Sequence, residues 1–213
     1  MKVITVCINK IGGLIRLTTN KYMDYRLINN VNILNHDISP TYNWSTITQS
    51  IDYIYLKYSL KRFKLEKNDV VLDLGSGKGR ILLYLYKKYS YLNLKLFGVE
   101  LNKEAFLLSV DLVKDKDIYI YNENALDNRF IFKNKITKII LFNPFNEEVF
   151  EQFIKYLLND VLGDLAFIYI NISKGQIDIL KKYNILYELD NIDKPIIGIY
   201  NKVNAIGYIN EKK

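Results

Sequence analysis

Cysteine, histidine and tryptophan each occur once in these 213 residues, as Cys7, His36 and Trp44. A single cysteine cannot close an internal disulfide, which excludes a disulfide-stapled scaffold and points to a reduced compartment. One histidine and one cysteine cannot supply a usual zinc set, so no metal is expected. A Ser-His-Asp or Cys-His relay would have to run through His36 alone. Cys7 reads as a small buried apolar residue and His36 as a loop residue. Proline is almost as rare, at Pro40, Pro144 and Pro195. No uncharged apolar stretch approaches the ~20 residues that cross a bilayer. Lys2, Lys10 and Arg16 are scattered along the first 19 residues, which lack the compact apolar region of a signal peptide. A cytoplasmic protein with no membrane partner is expected.

What is present is ordinary globular material: 49% apolar and 25% charged residues. The net charge is +7. Tyr, Ile, Lys and Asn are used heavily, a bias that resembles the drift of AT-rich coding sequence. The charge is therefore only a mild pointer toward an acidic partner.

Residues 1–40 read as an N-terminal extension, irregular apart from a hairpin. Val3 to Asn9 alternates weakly like a strand, Gly12-Gly13 signals a turn, and Leu14 to Thr18 pairs back. Tyr22 to Asp37 reads as irregular. Residues 41–213 read as one domain. Ile47, Ile51, Ile54, Tyr55 and Tyr58 recur at helical spacing, predicting about five turns from Trp44 to near Phe63, capped by Ser45 or Thr46.

Apolar runs and amphipathic stretches then alternate. Strands are predicted at Val70–Leu74, Leu94–Glu100, Ile118–Tyr121, Lys138–Phe142 and Leu165–Asn171. Helices are predicted at Arg80–Tyr89, Lys103–Lys114, Glu147–Leu158 and Gln176–Tyr183. Residues 185–209 read as further β segments. Such alternation implies a parallel sheet covered on both faces. The β-rich tail implies an antiparallel edge.

Four features fall at strand carboxyl ends, where open α/β sheets bind ligands. In VVLDLGSGKGR a buried strand ends on Asp73, followed by Gly75, Ser76, Gly77 and Gly79. The glycines allow sharp turns and close approach to the main chain. Their G-x-G-x-G spacing is neither the dinucleotide fingerprint nor a P-loop, which disfavours a dinucleotide-dependent oxidoreductase. Glu100 ends the next strand, where an acid accepts from ribose hydroxyls. Asn124-Ala125 follows the third strand, and Asn143-Pro144-Phe145 the fourth.

DLGSGKGR followed by GVE resembles the cofactor site of class I, Rossmann-like S-adenosylmethionine-dependent methyltransferases, over about residues 41–175. With NPF, it resembles a poorly characterised bacterial group of them. The first block also resembles the non-SET histone-lysine methyltransferases. The resemblance implies a doubly wound, mostly parallel seven-stranded sheet with S-adenosylmethionine as cofactor. Asp73 would meet the methionine end; Gly75, Ser76, Gly77 and Gly79 would form the loop beneath. Glu100 would hold the ribose, and Asn124 would read adenine beside Ala125. Asn143, Pro144 and Phe145 would sit by the transferable methyl and form the catalytic set. NPF resembles, one proline short, the Asn/Asp-Pro-Pro-Tyr/Phe signature of enzymes that methylate amide or amino nitrogens.

A nitrogen acceptor, such as a protein side chain, is expected. A small molecule or nucleic acid is the alternative within the class. A cofactor-binding module without catalysis is the alternative outside it. Methyl transfer from a sulfonium relies on positioning and water exclusion, which suits a chain with so little imidazole and thiol. Tyr42 and Trp44 either pack the helix before the first strand or cover the cofactor.

Overall fold

The computed structural model describes residues 2–28, 38–39, 48–126, 135–160, 164–192 and 202–209. Strands β1 (Val70–Leu74), β2 (Lys95–Val99), β3 (Ile118–Tyr121), β4 (Lys138–Phe142) and β5 (Leu165–Ile170) lie parallel. β7 (Lys202–Ile209) runs antiparallel between β5 and β6 (Leu186–Ile192). The sheet order is β3-β2-β1-β4-β5-β7-β6. The predicted sheet, with its antiparallel edge, is the observed one.

Helices α1 (Lys2–Ile28), α2 (Tyr53–Arg62), α3 (Arg80–Lys88), α4 (Lys103–Val113), α5 (Glu147–Asp160) and α6 (Lys174–Lys182), with a short 3-10 turn at Ser90–Leu92, complete the described elements. Strand alternation sorts the core into two layers. Val71, Ile140, Ile168 and Ile206 face the side of α2, α3 and α4. Leu72, Ile139, Phe167 and Ala205 face the side of α5 and α6. Burial on both faces explains why these strands read as continuous apolar runs.

The N-terminal segment departs from its sequence reading. Lys2–Ile28 is one helix of 27 residues, not a strand and hairpin. Gly12-Gly13 lies inside it, although each glycine costs about 1 kcal/mol against alanine there. Tertiary contacts outweigh that cost. The Asn20 side-chain amide donates to Asp52, and its carbonyl oxygen accepts from the Tyr53 backbone N–H at 3.0 Å. Arg16 pairs with Asp52 at 3.2 Å. Asp24 is fully buried and pairs at 2.7 Å with Arg80, which is 3% exposed. Tyr53 donates its hydroxyl to the other Asp24 oxygen at 2.7 Å.

The helix expected from Trp44 begins only at Tyr53. Asp52 is its N-cap, but its side chain is engaged by Arg16 and Asn20 rather than by the helix. Ile51 is buried all the same, which accounts for its place in the apolar period. Upstream, Ile38 and Thr48 form an antiparallel bridge. Ser45, Thr46, Tyr42, Trp44, His36, Pro195 and the side chain of Cys7 lie outside the described residues.

One polar knot ties α2 to the sheet. Asn204 of β7 is buried; its oxygen accepts from the Tyr55 hydroxyl at 2.7 Å and the Asn171 N–H at 3.2 Å. Its amide donates to Ser59 at 3.1 Å.

Candidate functional site

Strand order reverses between β1 and β4, so the loops after them diverge to opposite faces and leave a crevice at the carboxyl end. The first loop is Gly75–Gly79 and the second is Asn143-Pro144-Phe145. They touch: a Cβ built on Gly75 would lie 2.7 Å from the Pro144 Cβ. Gly75 also has φ +79, the left-handed region that favours glycine. Gly75→Ala therefore combines strain with a clash. It should cost about 1–3 kcal/mol, and an unchanged denaturation midpoint would show that the two loops are not tightly apposed.

The loop donors are already committed. Gly75 and Ser76 N–H groups donate to Val99 O at 2.9 and 3.0 Å. Gly77 N–H donates to the Glu100 Oε2 at 2.7 Å, and Gly79 N–H to Ser76 O at 2.9 Å. This loop is thus not an open cradle of amides for a phosphate. Its glycines fold the chain back onto the end of β2.

The acceptors of the site differ from its donors. Asp73 is buried at the end of β1, and among the described residues its Oδ2 has no hydrogen-bond partner; neither has the Ser76 Oγ. Burial, followed by the neighbouring Glu100 charge, pushes the Asp73 carboxyl well above the ordinary range. Burial also raises Glu100, against the lowering effect of backbone N–H groups at Asn102, Gly77 and Leu101. Glu100 Oε1 accepts from Asn102 N–H at 2.7 Å. Two buried carboxyls with raised affinity for protons make a place suited to a cation and to hydroxyl donors.

Asn143 is exposed at the crevice with φ +48, a conformation that asparagine tolerates better than most residues. Pro144 is half-buried against Gly75. Phe145 is buried. Its ring is buried 5.7 Å from the Phe153 ring, in the core beneath α5. Its carbonyl accepts from Gln176 at 3.0 Å and Tyr169 at 3.2 Å. Asn124 is exposed, and its side-chain oxygen accepts from Leu126 N–H at 3.0 Å, a local loop contact. Ala125 packs, half-buried, against the same core as Phe145.

Three residues escaped the sequence reading. Asn102 caps α4 through Ala105 N–H at 3.0 Å and donates to Ser39 O at 3.1 Å. An asparagine just before an apolar helix carried that signal. Asn122 donates to the Glu100 and Leu101 carbonyls at 2.8 and 3.1 Å, fixing the end of β3 on that of β2. Thr48 lies over Gly77, 3.0 Å from where a Cβ would be; no local pattern announced that contact.

No protein-family model matches the chain. A tRNA (guanine-N(7)-)-methyltransferase of Oceanobacillus iheyensis is 30% identical over 79 residues, 36% of each protein. The match thus spans about a third of that relative's length. Among solved structures, a methyltransferase from Pyrococcus furiosus aligns with TM-score 0.62 at 12% identity, over 92% of this chain and 98% of that one. A SAM-dependent O-methyltransferase from Thermotoga maritima aligns with TM-score 0.57 at 13% identity, over 78% and 68%. The fold is the Rossmann-like fold of class I S-adenosylmethionine-dependent methyltransferases.

Proposed function

We propose that this chain is a cytoplasmic S-adenosylmethionine-dependent methyltransferase whose acceptor is a nitrogen. The observation that carries the reading is the sign of the site. Its loop amides are spent on the chain, while Asp73 and Glu100 present buried carboxyls and Asp73 keeps a bare oxygen. Such a site repels a pyrophosphate and suits a ligand with an ammonium, a sulfonium and ribose hydroxyls. This disfavours a dinucleotide more directly than glycine spacing does.

The residues present fit that cofactor. Asp73 would take its ammonium end and Glu100 its ribose, each oxygen retaining a lone pair beyond its backbone bond. When bound, the cofactor supplies an electrophilic methyl on a good leaving group. Asn143 accepts from an acceptor N–H and so aims the lone pair; being neutral, it does not compete for the proton of an amine that arrives deprotonated. Pro144 holds Asn143 against the glycine loop. With Phe145 committed to the core, Asn143 and Pro144 remain as the catalytic pair. Positioning and exclusion of water account for the acceleration, without imidazole.

Two acceptors are compatible with the nitrogen reading. One is a protein side chain, on the NPF resemblance. The other is a base nitrogen in RNA, favoured by the partial match to the tRNA enzyme and by the +7 charge. Calorimetry with S-adenosylmethionine, its demethylated product and NAD tests the cofactor. Tight NAD binding with no response to S-adenosylmethionine would overturn the reading. Radiolabelled methyl transfer into lysate fractionated as protein, nucleic acid and small molecules identifies the acceptor. Glu100→Ala should weaken cofactor binding about tenfold or more. Asn143→Ala should remove turnover while sparing most of the affinity; undiminished turnover would remove Asn143 from the chemistry.

A further inference from the structure

We infer that the outer face of α1 docks on an anionic lipid surface. The inner face of this helix is occupied by Arg16, Asn20 and Asp24 in their contacts with Asp52, Tyr53 and Arg80. The opposite side is mostly apolar, and no described residue covers it. Ile11 is 59% exposed, Leu14 62%, Tyr22 62% and Tyr25 56%, with Ile15 and Leu17 beside them. The 11, 15, 22, 25 spacing keeps to one stripe. A contiguous exposed stripe of this size marks an interaction site.

Charge selects the occupant. Residues 1–28 hold five basic residues, of which Arg16 is paired with Asp52 on the inner face, and a single acid, Asp24, buried on that same inner face. Lys21 and Arg26 are exposed along the stripe. A second copy of this chain would bring the same cations and no carboxylate to pair them. RNA would satisfy the cations but would leave four aliphatic side chains without an apolar partner. An anionic bilayer surface satisfies both, with aliphatic groups in the acyl boundary and tyrosines and cations at headgroup level.

A separate recess lies at the flank of α1, where it meets α2 and α3. A mostly apolar cavity of about 350 Å3 opens between α1, α2 and α3. Thr19 and Met23 of α1 line it with Tyr53, Ile54 and Tyr84, together with the exposed Lys57 and Lys88. An apolar recess edged by two cations fits an acyl chain under an anionic headgroup. Among the described residues no helix is long and apolar enough to cross a membrane; α1 would lie in the interface rather than span it.

The test is flotation of the full chain with vesicles of phosphatidylcholine, with and without about 30% phosphatidylglycerol. Binding to the anionic vesicles should exceed binding to the neutral ones at least tenfold. Leu14→Glu with Tyr22→Glu should reduce it at least tenfold, as should Lys21→Glu with Arg26→Glu. All four positions are exposed, so unchanged melting temperatures verify folding. No flotation, or equal flotation with both vesicles, overturns the inference. So does loss with the charge variant alone, the signature of a polyanion such as RNA. Self-association in sedimentation that Leu14→Glu with Tyr22→Glu abolishes would assign the face to a second copy instead.

Discussion

Asp24→Ala should lower the stability of this protein more than any other single side-chain truncation at its surface helix. Arg80 would be left buried and uncompensated, and the Tyr53 hydroxyl would lose its acceptor. Breaking a buried pair from one side costs about 3–5 kcal/mol. For a chain of this size that is a fall of roughly 6–20 °C in melting temperature. Arg80 also donates to Ile51 O at 2.9 Å and lies over the Tyr53 ring, so its loss would loosen three segments at once. The pair is not a pure gain. Burial is the largest influence on Asp24 and raises its carboxyl, with Arg80, Tyr53 and Lys78 opposing it. Replacing both partners with methionine should therefore recover most of the loss. If Asp24→Ala melts within about 2 °C of the parent, α1 is not held by this contact.

Asp73→Asn should move stability and binding in opposite directions. The unliganded protein holds a carboxyl whose charge is opposed by burial and by Glu100. The native state therefore binds protons more tightly than the unfolded chain. The stability contribution is full below the ordinary carboxylate range and is lost as pH rises through the raised value. At neutral pH the amide removes that penalty, and the variant should melt above the parent. It should also lose cofactor affinity by roughly 10- to 100-fold, the worth of a charge-assisted hydrogen bond. If Asp73 holds the ammonium end, parent affinity should fall on acidification, as a proton competes with that cation; in the variant that dependence should flatten. A variant that binds as tightly as the parent at neutral pH would remove Asp73 from the ligand contact.

The strands that build the crevice were legible because they are covered on both faces and punctuated by glycine- and proline-bearing loops. β1, β3 and β4 have the boundaries expected of their apolar runs. The helix α1 was not legible. Its β-branched start and Gly12-Gly13 carry turn and strand signals, and the contacts that override them come from Asp52, Tyr53 and Arg80, far along the chain. Phe145 shows a second limit. An aromatic after a strand has the same spelling whether or not it packs in the core, and the packing of Phe145 on Phe153 was not legible in the sequence. The glycine loop shows a third, because glycine spacing does not reveal whether its N–H groups face a ligand or the carbonyl of Val99.

The position of β7 bears on how the chain is made. It follows β6 in sequence yet stands between β6 and β5, and Asn204 within it is bound to Tyr55 and Ser59, about 150 residues earlier. During synthesis β6 leaves the ribosome with no strand beside it, and α2 lacks its polar anchor. Until residues 202–209 emerge, the nascent chain exposes the edge of β5 and a half-built core. Such open edges are sites of aggregation. Completion of the sheet is thus a late, long-range event, and a chaperone that shields the β5 edge would act in that interval.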